Sequence, residues 1–308
     1  MGGSVLSASC RRSRGAAAPV SARSRSEVQT PRQALRLLGS RRAQRRAIMP
    51  TVSAVTIALN EEEMIEGCLR SVAWADEVIV VDGGSTDATC RIAQRHATRV
   101  VTRPWTNWGE QKSYALDLAT GDWVLWIDAD ERLTPGLVDE VRRFIANPGP
   151  YVGLSVPIQY YVFGRPLRHG GFRRRKVRLF RRDGATWRGD VHTDLACPTG
   201  PLLRAKAPIR HLYIRDLDRA LDKTRRLAGF DAIDNPRLRA HARPYDILWS
   251  PLRRFVGRLL LKLGILDGPP GVIAIGLLSL QLFLTHASLW QQGHFARGAH
   301  VRERERHG

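Results

Sequence analysis

An apolar run that ends abruptly in carboxylates constrains this sequence more than any other feature. Residues Trp123–Ile127 are apolar, and Asp128, Asp130 and Glu131 follow directly. The run is short and bounded, which predicts a buried strand rather than a helix. Because ligands bind beyond the carboxyl ends of the strands in an open α/β sheet, we expect Asp128 and Asp130 to lie at a ligand site.

Asp128 and Asp130 are candidate ligands of a divalent cation. Two carboxylates separated by one small residue repel each other unless a cation joins them. Their hard oxygen atoms favour Mg²⁺ or Mn²⁺, and Mg²⁺ is typically held by one or two carboxylates together with substrate phosphates. The alternative is an acidic turn before a helix that starts at Thr134 and Pro135. Taken alone, the Asp-Ala-Asp sequence favours this alternative.

Three more segments have the composition and length of buried strands, and helical periodicity separates them from one another and from Trp123. The strands are predicted at Thr51–Leu59, Glu77–Asp82 and Arg99–Thr102. Strands that alternate with helices indicate an α/β fold with a mostly parallel sheet and helices on both faces. With 308 residues, of which 43% are hydrophobic, the chain can bury such a core.

Polar side chains follow three of these strands. Asn60 and Glu61 follow the first strand, Asp82 follows the second, and three carboxylates follow Ile127. Their convergence at one edge of the sheet is typical of a nucleotide site. The sequence contains neither a P-loop motif nor Gly-x-Gly-x-x-Gly after the first strand, which excludes a P-loop and argues against a dinucleotide fold. Asp82 would accept hydrogen bonds from a base or a ribose. Its alternative role is to cap the Gly83-Gly84 turn.

Four segments occur in an order and at spacings that resemble family 2 glycosyltransferases with the GT-A fold. They are Ala58–Glu62, Val80–Asp87, Gln111–Leu116 and Asp128–Glu131. More narrowly, the chain resembles the branch that contains lipopolysaccharide core β-1,4-glucosyltransferases, over about residues 51–290. The resemblance implies a Rossmann-like GT-A domain that takes an activated nucleotide sugar and inverts the anomeric centre.

The resemblance also implies roles for individual residues. The residues assigned to the nucleotide-sugar pocket are Leu59, Asn60, Glu61, Asp82, Ser85, Lys112, Asp128 and Arg181. Lys112 would lie near the phosphates, although a solvated helix cation is the alternative. Asp128 would contact the sugar or the ribose, and Asp130 would bind Mg²⁺ or Mn²⁺. This metal would neutralise the charge that develops on the leaving nucleoside diphosphate.

The basic run Arg173–Arg182, which includes Arg181, has two interpretations of equal weight. In the first, Val177, Leu179 and Phe180 point inward from a strand whose arginines form a solvated face. In the second, the arginines clamp a diphosphate or an anionic acceptor. Both interpretations can hold for different arginines.

The segment Gly189–Asp194 departs from the resembled branch, which usually has Val-His-Glu here. This chain has Thr193 where the glutamate is expected. His192 would be a third metal ligand or a diphosphate contact. Asp190 or Asp194 would accept the proton of the acceptor hydroxyl, or either would be a turn residue. His211 also matches the branch, and we expect a structural role for it.

Residues 1–48 contain eleven arginines and one glutamate, and therefore half of the net charge of +20. This composition predicts a disordered basic tail. It fits a lipid-binding or nucleic-acid-binding tail, an organellar transit peptide, or translation that starts at Met49, which we favour. The predicted divisions are a catalytic domain at 49–240, a membrane-associating helical region at 241–296 and a charged end at 297–308.

The C-terminal region has two apolar segments. Ile247–Leu266 predicts a basic amphipathic helix, broken near Pro251, that suits a membrane interface. A break is expected at Asp267–Gly271. Val272–Trp290 approaches the ~20 residues of a membrane span. Its internal polar residues favour an in-plane or re-entrant helix, and packing on the catalytic domain is the alternative.

These features predict an inverting glycosyltransferase at the cytoplasmic face of the membrane, bound peripherally. Its expected partners are a nucleoside-diphosphate sugar and a lipid-linked or envelope glycan, without nucleic acid. Four scattered cysteines agree with a reducing compartment. The alternatives are a polyprenyl-phosphate sugar synthase, a nucleotidyltransferase and a non-catalytic membrane adaptor.

Overall fold

The structure, a computed structural model, describes residues 50–188, 194–196, 199–234 and 243–307. The strands within these ranges are β1 Val52–Ala58, β2 Glu77–Asp82, β3 Arg99–Thr102, β4 Trp123–Trp126, β5 Glu131–Leu133, β6 Gly153–Val162, β7 Arg165–Pro166, β8 Arg174–Arg181, β9 Thr186–Arg188, β10 Asp194–Ala196, β11 Leu202–Arg204 and β12 Ile209–Ile214. The α-helices are α1 Ile65–Val72, α2 Thr89–His96, α3 Trp108–Asp117, α4 Pro135–Ala146, α5 Leu217–Asp234, α6 Asp246–Val256 and α7 Gly268–His307.

The main sheet is parallel in its first half and mixed in its second. The strand order is β3-β2-β1-β4-β8-β6-β12-β5, with β7 and β11 paired to β6. Strands β1 to β4 are mutually parallel because a helix crosses over between each pair in sequence. β8 is antiparallel to both β4 and β6, and β12 is parallel to β6. The predicted α/β fold is therefore confirmed, with a mixed extension after β4.

The core lies on both faces of this sheet. All seven residues of β1 are buried, and they alternate between two apolar clusters. Val52 and Ala54 pack with α1 and α4 on one face, whereas Val55 and Ile57 pack with α3 on the other. A strand that is covered on both sides holds its carboxyl end in a fixed position, which matters for the site described below.

A third apolar cluster joins α7 to the far end of the sheet. Ala274, Ile275 and Leu277 of α7 pack against Val162 and Ile214, at the ends of β6 and β12. Residues Gly264–Gln292 are long and apolar enough to cross a membrane, since an 18-residue stretch within them has a mean hydropathy of 1.8, and 39% of that stretch is buried. This packing agrees with the alternative of a helix on the catalytic domain. The in-plane arrangement stays a prediction.

The connection between α6 and α7 differs from the expected breaks. α6 continues through the buried Pro251 into a π-helical turn, and the chain leaves the helix only at Leu263, which has a φ of +55°. Gly264 comes next, and a Cβ there would collide with Ile275 of α7. α7 starts at Gly268, because Pro269 and Pro270 stand in its first turn, where a missing N–H is harmless. The predicted break near Pro251 was wrong.

Asp267 fixes the start of α7 to the sheet domain. Its carboxylate accepts hydrogen bonds from the backbone N–H groups of Arg168 and His169, at 3.0 and 2.8 Å, and lies 3.0 Å from Nδ1 of His169. Burial alone would raise the pKa of Asp267, but these hydrogen bonds outweigh it and hold the pKa below its usual value. The Asp-Gly sequence before α7 therefore anchors the helix.

Candidate active site

A cavity of about 370 Å³ opens at the carboxyl ends of β1 and β4. The two strands are adjacent and parallel, so the residues that follow them lie side by side. α3 contributes one wall and α5 contributes another. The polar and aromatic residues that line the cavity are Glu61, Trp105, Trp108, Lys112, Asp128, Asp130, His211, Lys223, Arg226 and Phe230, and Leu59 is among its apolar lining. The volume is in the range of small-molecule sites.

Asp128 is held ionised by basic side chains from β8. Nη2 of Arg178 donates to its Oδ2 at 2.6 Å, and Nε1 of Trp126 donates to its Oδ1 at 3.2 Å. Nζ of Lys176 lies 3.9 Å from the same Oδ2. Burial alone would raise the pKa of Asp128, but the charge of Arg178 outweighs it and holds the pKa well below the usual range.

Asp130 has a separate set of partners. Its Oδ2 accepts a hydrogen bond from Nζ of Lys223 on α5 at 3.0 Å, and Nε2 of His211 on β12 lies 3.2 Å away. The side chain is only 13% exposed. Burial opposes ionisation, yet His211 and Lys223 lower the pKa of Asp130 well below its usual value. The sequence suggested a structural role for His211, and the structure brings it to a candidate site residue.

The donor chemistry of this pair fits a divalent cation that shares its coordination with phosphate. Among the described residues, no three His, Cys, Asp or Glu side chains come together as a ligand set. Two closely spaced carboxylates are nevertheless sufficient for Mg²⁺ when substrate phosphates supply the other ligands. The buried Nδ1 of His211 has no hydrogen-bond partner in the described ranges.

Arg178, rather than Arg181, reaches the carboxylates. In the register of β4 and β8, Arg181 pairs with Trp123, at the amino end of β4, and stacks 4.8 Å above its ring. Arg178 lies at the other end, where it donates to Asp128 and Glu131. The assignment of Arg181 to the nucleotide pocket is therefore corrected. A single sequence shows the alternation of β8 but not its register.

The end of β2 organises the loop beside the cavity. Asp82 is buried, and it accepts hydrogen bonds from the N–H groups of Gly84 and Ser85 and from Oγ of Ser85 at 2.5 Å. Oγ of Ser85 also accepts from the N–H of Asn60, at 2.9 Å. Neither Asp82 nor Ser85 lines the cavity. Asp82 thus has the turn-capping role, and its contact with a base or a ribose stays a prediction.

Lys112 lies in an aromatic cage. Its Nζ is 4.6 Å from the ring centroid of Trp187 and 5.9 Å from those of Trp108 and Trp126. Burial lowers the pKa of Lys112 to about 8, and the charge of Asp128 opposes this effect. The alternative of a solvated helix cation is wrong, because α3 turns the side chain into the cavity.

Two predicted site residues lie outside the part of the chain that the structure describes. His192 and Asp190, together with the divergent Thr193, fall in the gap at 189–193. Asp194 belongs to β10, but only its backbone is described. The third metal ligand and the proton acceptor stay predictions.

Glu61 has an electrostatic property that the sequence did not reveal. Burial, reinforced by the charge of Asp130, raises the pKa of Glu61 from 4.5 to about 7. Between about pH 4.5 and 7 the unfolded chain therefore loses a proton that the folded chain keeps, so this group destabilises the fold as pH rises. Glu61 lines the cavity, which makes its ionisation relevant to ligand binding.

We expect Glu61→Gln to remove this pH dependence. The free energy of unfolding of the variant, relative to that of the wild type, should rise as pH rises from about 4.5 to 7 and stay constant above that range. The free energy of unfolding in urea, measured across this range without added metal, checks the prediction. Glu63→Gln, at an exposed carboxylate two residues further along the chain, is not expected to change the slope; equal slopes in all three proteins would contradict the prediction.

Comparison with known proteins decides the family. The sequence profile described as Glycosyl transferase family 2 matches residues 53–206, which is half of the chain. The chain belongs to glycosyl transferase family 2. The predicted family, the GT-A fold and the prediction of an enzyme are confirmed. The match contains Asp128, Asp130 and Arg178, whereas α5 with Lys223 follows it.

This glycosyltransferase is similar to two bacterial glycosyltransferases, over different shares of its length. It is 28% identical to the lipopolysaccharide core biosynthesis glycosyltransferase LpsC of Rhizobium meliloti, over 78% of this chain and 92% of LpsC. It is 41% identical to an uncharacterized glycosyltransferase of Rickettsia bellii, over 37% of this chain. That second match spans only 39% of the Rickettsia protein.

A solved structure with partial similarity is glucosyl-3-phosphoglycerate synthase from Mycobacterium tuberculosis, in complex with Mn²⁺, uridine diphosphate and glucosyl-3-phosphoglycerate. The identity is 29%, the match covers 37% of this chain and 44% of that one, and the TM-score is 0.30. A TM-score of this size leaves the donor, the metal and the acceptor as properties of that enzyme.

Proposed function

We propose that this glycosyltransferase moves a sugar from a nucleoside-diphosphate sugar to a hydroxyl of a lipid-linked or envelope glycan, with inversion at the anomeric carbon. The observation that carries the proposal is the cavity at the carboxyl ends of β1 and β4, which combines ionised carboxylates with aromatic and basic side chains. A nucleoside diphosphate needs these three kinds of group: a flat surface for its base, cations for its phosphates and carboxylates for a metal.

The walls of the cavity suit the separate parts of the donor. Trp105 and Trp108 offer aromatic rings for an apolar or planar group. Lys112, Lys223 and Arg226 supply positive charge for the diphosphate. Leu59 and Glu61 border the same cavity. Asn60 lines an adjacent cavity that shares Glu61 and Asp130 with it, and Asp82 and Ser85 hold Asn60 in place through the hydrogen bonds described above.

Asp130 and Asp128 would hold Mg²⁺ or Mn²⁺, with His192 as a further ligand. When bound, the metal would neutralise the negative charge that develops on the leaving diphosphate. Lys223 donates to Asp130 in this structure, and we infer that its ammonium turns to the phosphates when a donor is present. Arg178 keeps Asp128 ionised and correctly oriented.

The acceptor hydroxyl must lose its proton to a carboxylate as the new bond forms. Asp190 and Asp194 are the proposed acceptors of this proton. The similarity to LpsC, which covers 78% of this chain and 92% of LpsC, supports a lipopolysaccharide core type of acceptor. We place the enzyme at the cytoplasmic face of the membrane, with a catalytic domain at 49–240 and membrane-associating helices within 241–296.

Binding of nucleoside diphosphates to the full-length protein tests this function. We expect one member of a panel of uridine, guanosine, cytidine, adenosine and thymidine diphosphates to bind, about 10-fold or more tightly with Mn²⁺ than without it. Titration calorimetry gives the affinities, and quenching of Trp105 and Trp108 fluorescence gives an independent signal.

Lys112→Met is expected to weaken nucleotide binding, and Arg91→Gln, on the exposed surface of α2, serves as the matched control. The product distinguishes the alternative chemistry, because sugar transfer releases a nucleoside diphosphate and nucleotidyl transfer releases pyrophosphate. If no nucleotide binds, with or without Mn²⁺, the transferase mechanism proposed here is wrong.

A further inference from the structure

A second cavity, of about 630 Å³, lies between α6, the π-helical turn after it and α7, apart from the donor cavity. Basic residues recur along its wall at every fourth position, namely Arg254, Arg258 and Lys262, and Arg253 adds a fourth cation. Residues four apart share one face of a helix, so these charges point to the same space. Asp246 is the carboxylate that also lines it.

The protein balances the cations of this cavity only in part, since Arg254 and Arg258 donate to the backbone oxygens of Leu278 and Gly170 at 3.2 and 2.8 Å. Within the described ranges, none of these four side chains forms a salt bridge. Burial lowers the pKa of Arg258, and the positive charges of Arg174 and Arg254 lower it further. Like charges held together in this way favour the binding of an anion from outside the chain.

His286 supplies an independent observation. It extends from α7 into the same cavity, and the residue is only 5% exposed. Its Nδ1 is buried and has no hydrogen-bond partner among the described residues. A buried ring nitrogen without a partner is costly, and a ligand oxygen in the cavity would satisfy it.

The rim of the cavity is apolar and exposed. Leu261, which lines the cavity, is 85% exposed. It continues a patch of exposed apolar side chains on α6 and on the turns after it, formed by Leu248, Trp249, Leu252, Val256, Leu260, Leu263, Ile265 and Leu266. Apolar surface on this scale beside a basic site is typical of a protein that rests on a membrane.

We propose that this cavity binds the phosphate group of an anionic membrane lipid while the apolar rim enters the lipid layer. The positive charge of the cavity favours a phosphate group as the ligand. The exposed leucines beside the cavity favour a phosphate that belongs to a lipid over a free anion. The site is separate from the donor cavity, and its occupancy does not depend on which nucleotide sugar the enzyme uses.

The bound lipid would lie close to the candidate active site. The guanidinium of Arg258 stacks 5.4 Å from the ring centroid of Phe172, which is 5.9 Å from that of Tyr160. Tyr160 in turn lies 4.9 Å from the ring of His211, which contacts Asp130. Two aromatic side chains thus separate the phosphate site from the donor cavity, so a membrane-bound acceptor would be held within reach.

Vesicle co-sedimentation with the full-length protein tests the site. Vesicles of phosphatidylcholine alone are compared with an equal mixture of phosphatidylcholine and phosphatidylglycerol. We expect binding to the mixture only, and a loss of about 30-fold in Arg253→Gln/Lys262→Gln, which removes two exposed charges from the cavity. Arg91→Gln/Arg95→Gln on α2 removes the same charge elsewhere and should change binding less than about 3-fold, since charges beyond ~10 Å are screened.

The variant His286→Leu distinguishes a lipid headgroup that enters the cavity from one that binds only to the basic surface. Because His286 is buried, its loss should weaken binding by about 10-fold only if a headgroup enters the cavity and bonds to Nδ1. Wild-type binding by a folded His286→Leu variant, or equal losses in the two double variants, would overturn the proposal. Inorganic phosphate or glycerol phosphate that binds as tightly as the vesicles would overturn the lipid as the source. Circular dichroism of each variant establishes that it is folded.

Discussion

Asp130→Asn is expected to lower the turnover of sugar transfer by about 10³-fold or more. The substitution keeps the shape of the side chain but removes the charge that would hold a divalent cation. A loss of about 4 kcal/mol in the stabilisation of the leaving diphosphate corresponds to a factor of this size. The measurement is the release of nucleoside diphosphate from a donor sugar at saturating Mn²⁺, with the nucleotide that the binding panel selects.

The effect of Asp130→Asn on metal dependence distinguishes this role from a structural one. The variant should bind the nucleotide equally with and without Mn²⁺, because the metal no longer adds to the affinity. Asp117→Asn, at an exposed carboxylate of the same charge near the end of α3, should keep turnover within about 2-fold of the wild type. If Asp130→Asn keeps both its turnover and its response to Mn²⁺, Asp130 is not the metal ligand.

Arg178→Met is expected to cost about 3–5 kcal/mol of the free energy of unfolding, the usual loss when one partner of a buried ion pair is removed. The side chain of Arg178 is 4% exposed and donates to Asp128 and to Glu131, which is itself fully buried. Methionine fills similar space but takes the guanidinium away from the fully buried Glu131 and from the partly buried Asp128. Urea unfolding measures the loss, and turnover should fall with it because Asp128 loses its orientation.

Lys176→Gln is the matched control for Arg178→Met. Lys176 lies 3.9 Å from the same oxygen of Asp128, but it is largely solvated, so its removal should cost less than about 1 kcal/mol. The pH dependence follows from the low pKa of Asp128, whose stabilising charge is present above its ordinary value of 3.8 and is lost as pH falls. The difference between the wild type and Arg178→Met should therefore shrink in acid. Equal losses in both variants would contradict the buried ion pair.

Local patterns in the sequence were sufficient for the first half of the fold. Bounded apolar runs separated by helical periodicity identified β1, β2 and β4, because a strand covered on both faces must be apolar along its whole length. β3 is a short, partly exposed edge strand, and its place in the alternation identified it. The polar residues at the ends of β1 and β4 could then be assigned to one edge, since parallel strands end on the same side. The order of four short motifs added the family, which the sequence profile confirmed.

The second half of the sheet needed the tertiary structure. β8 lies beside β4 although about fifty residues separate them, and nothing local in the sequence specifies that pairing or its register. The register decides which arginine of the basic run reaches the carboxylates, and Arg178 does so where Arg181 was expected. The same limitation hid the partners of Asp130, because His211 and Lys223 arrive from β12 and α5 only when the chain is folded.

The sequence by itself thus indicated Asp128 and Asp130 as candidate site residues, and the tertiary structure decided which charges surround them. Asp128 and Asp130 are recognisable because a buried strand ends in them, which is a local property. Their ionisation at neutral pH depends on Arg178, Lys176, His211 and Lys223, which are distant in the chain. Electrostatic energy depends on distances in space, and those distances are set by packing rather than by order along the chain.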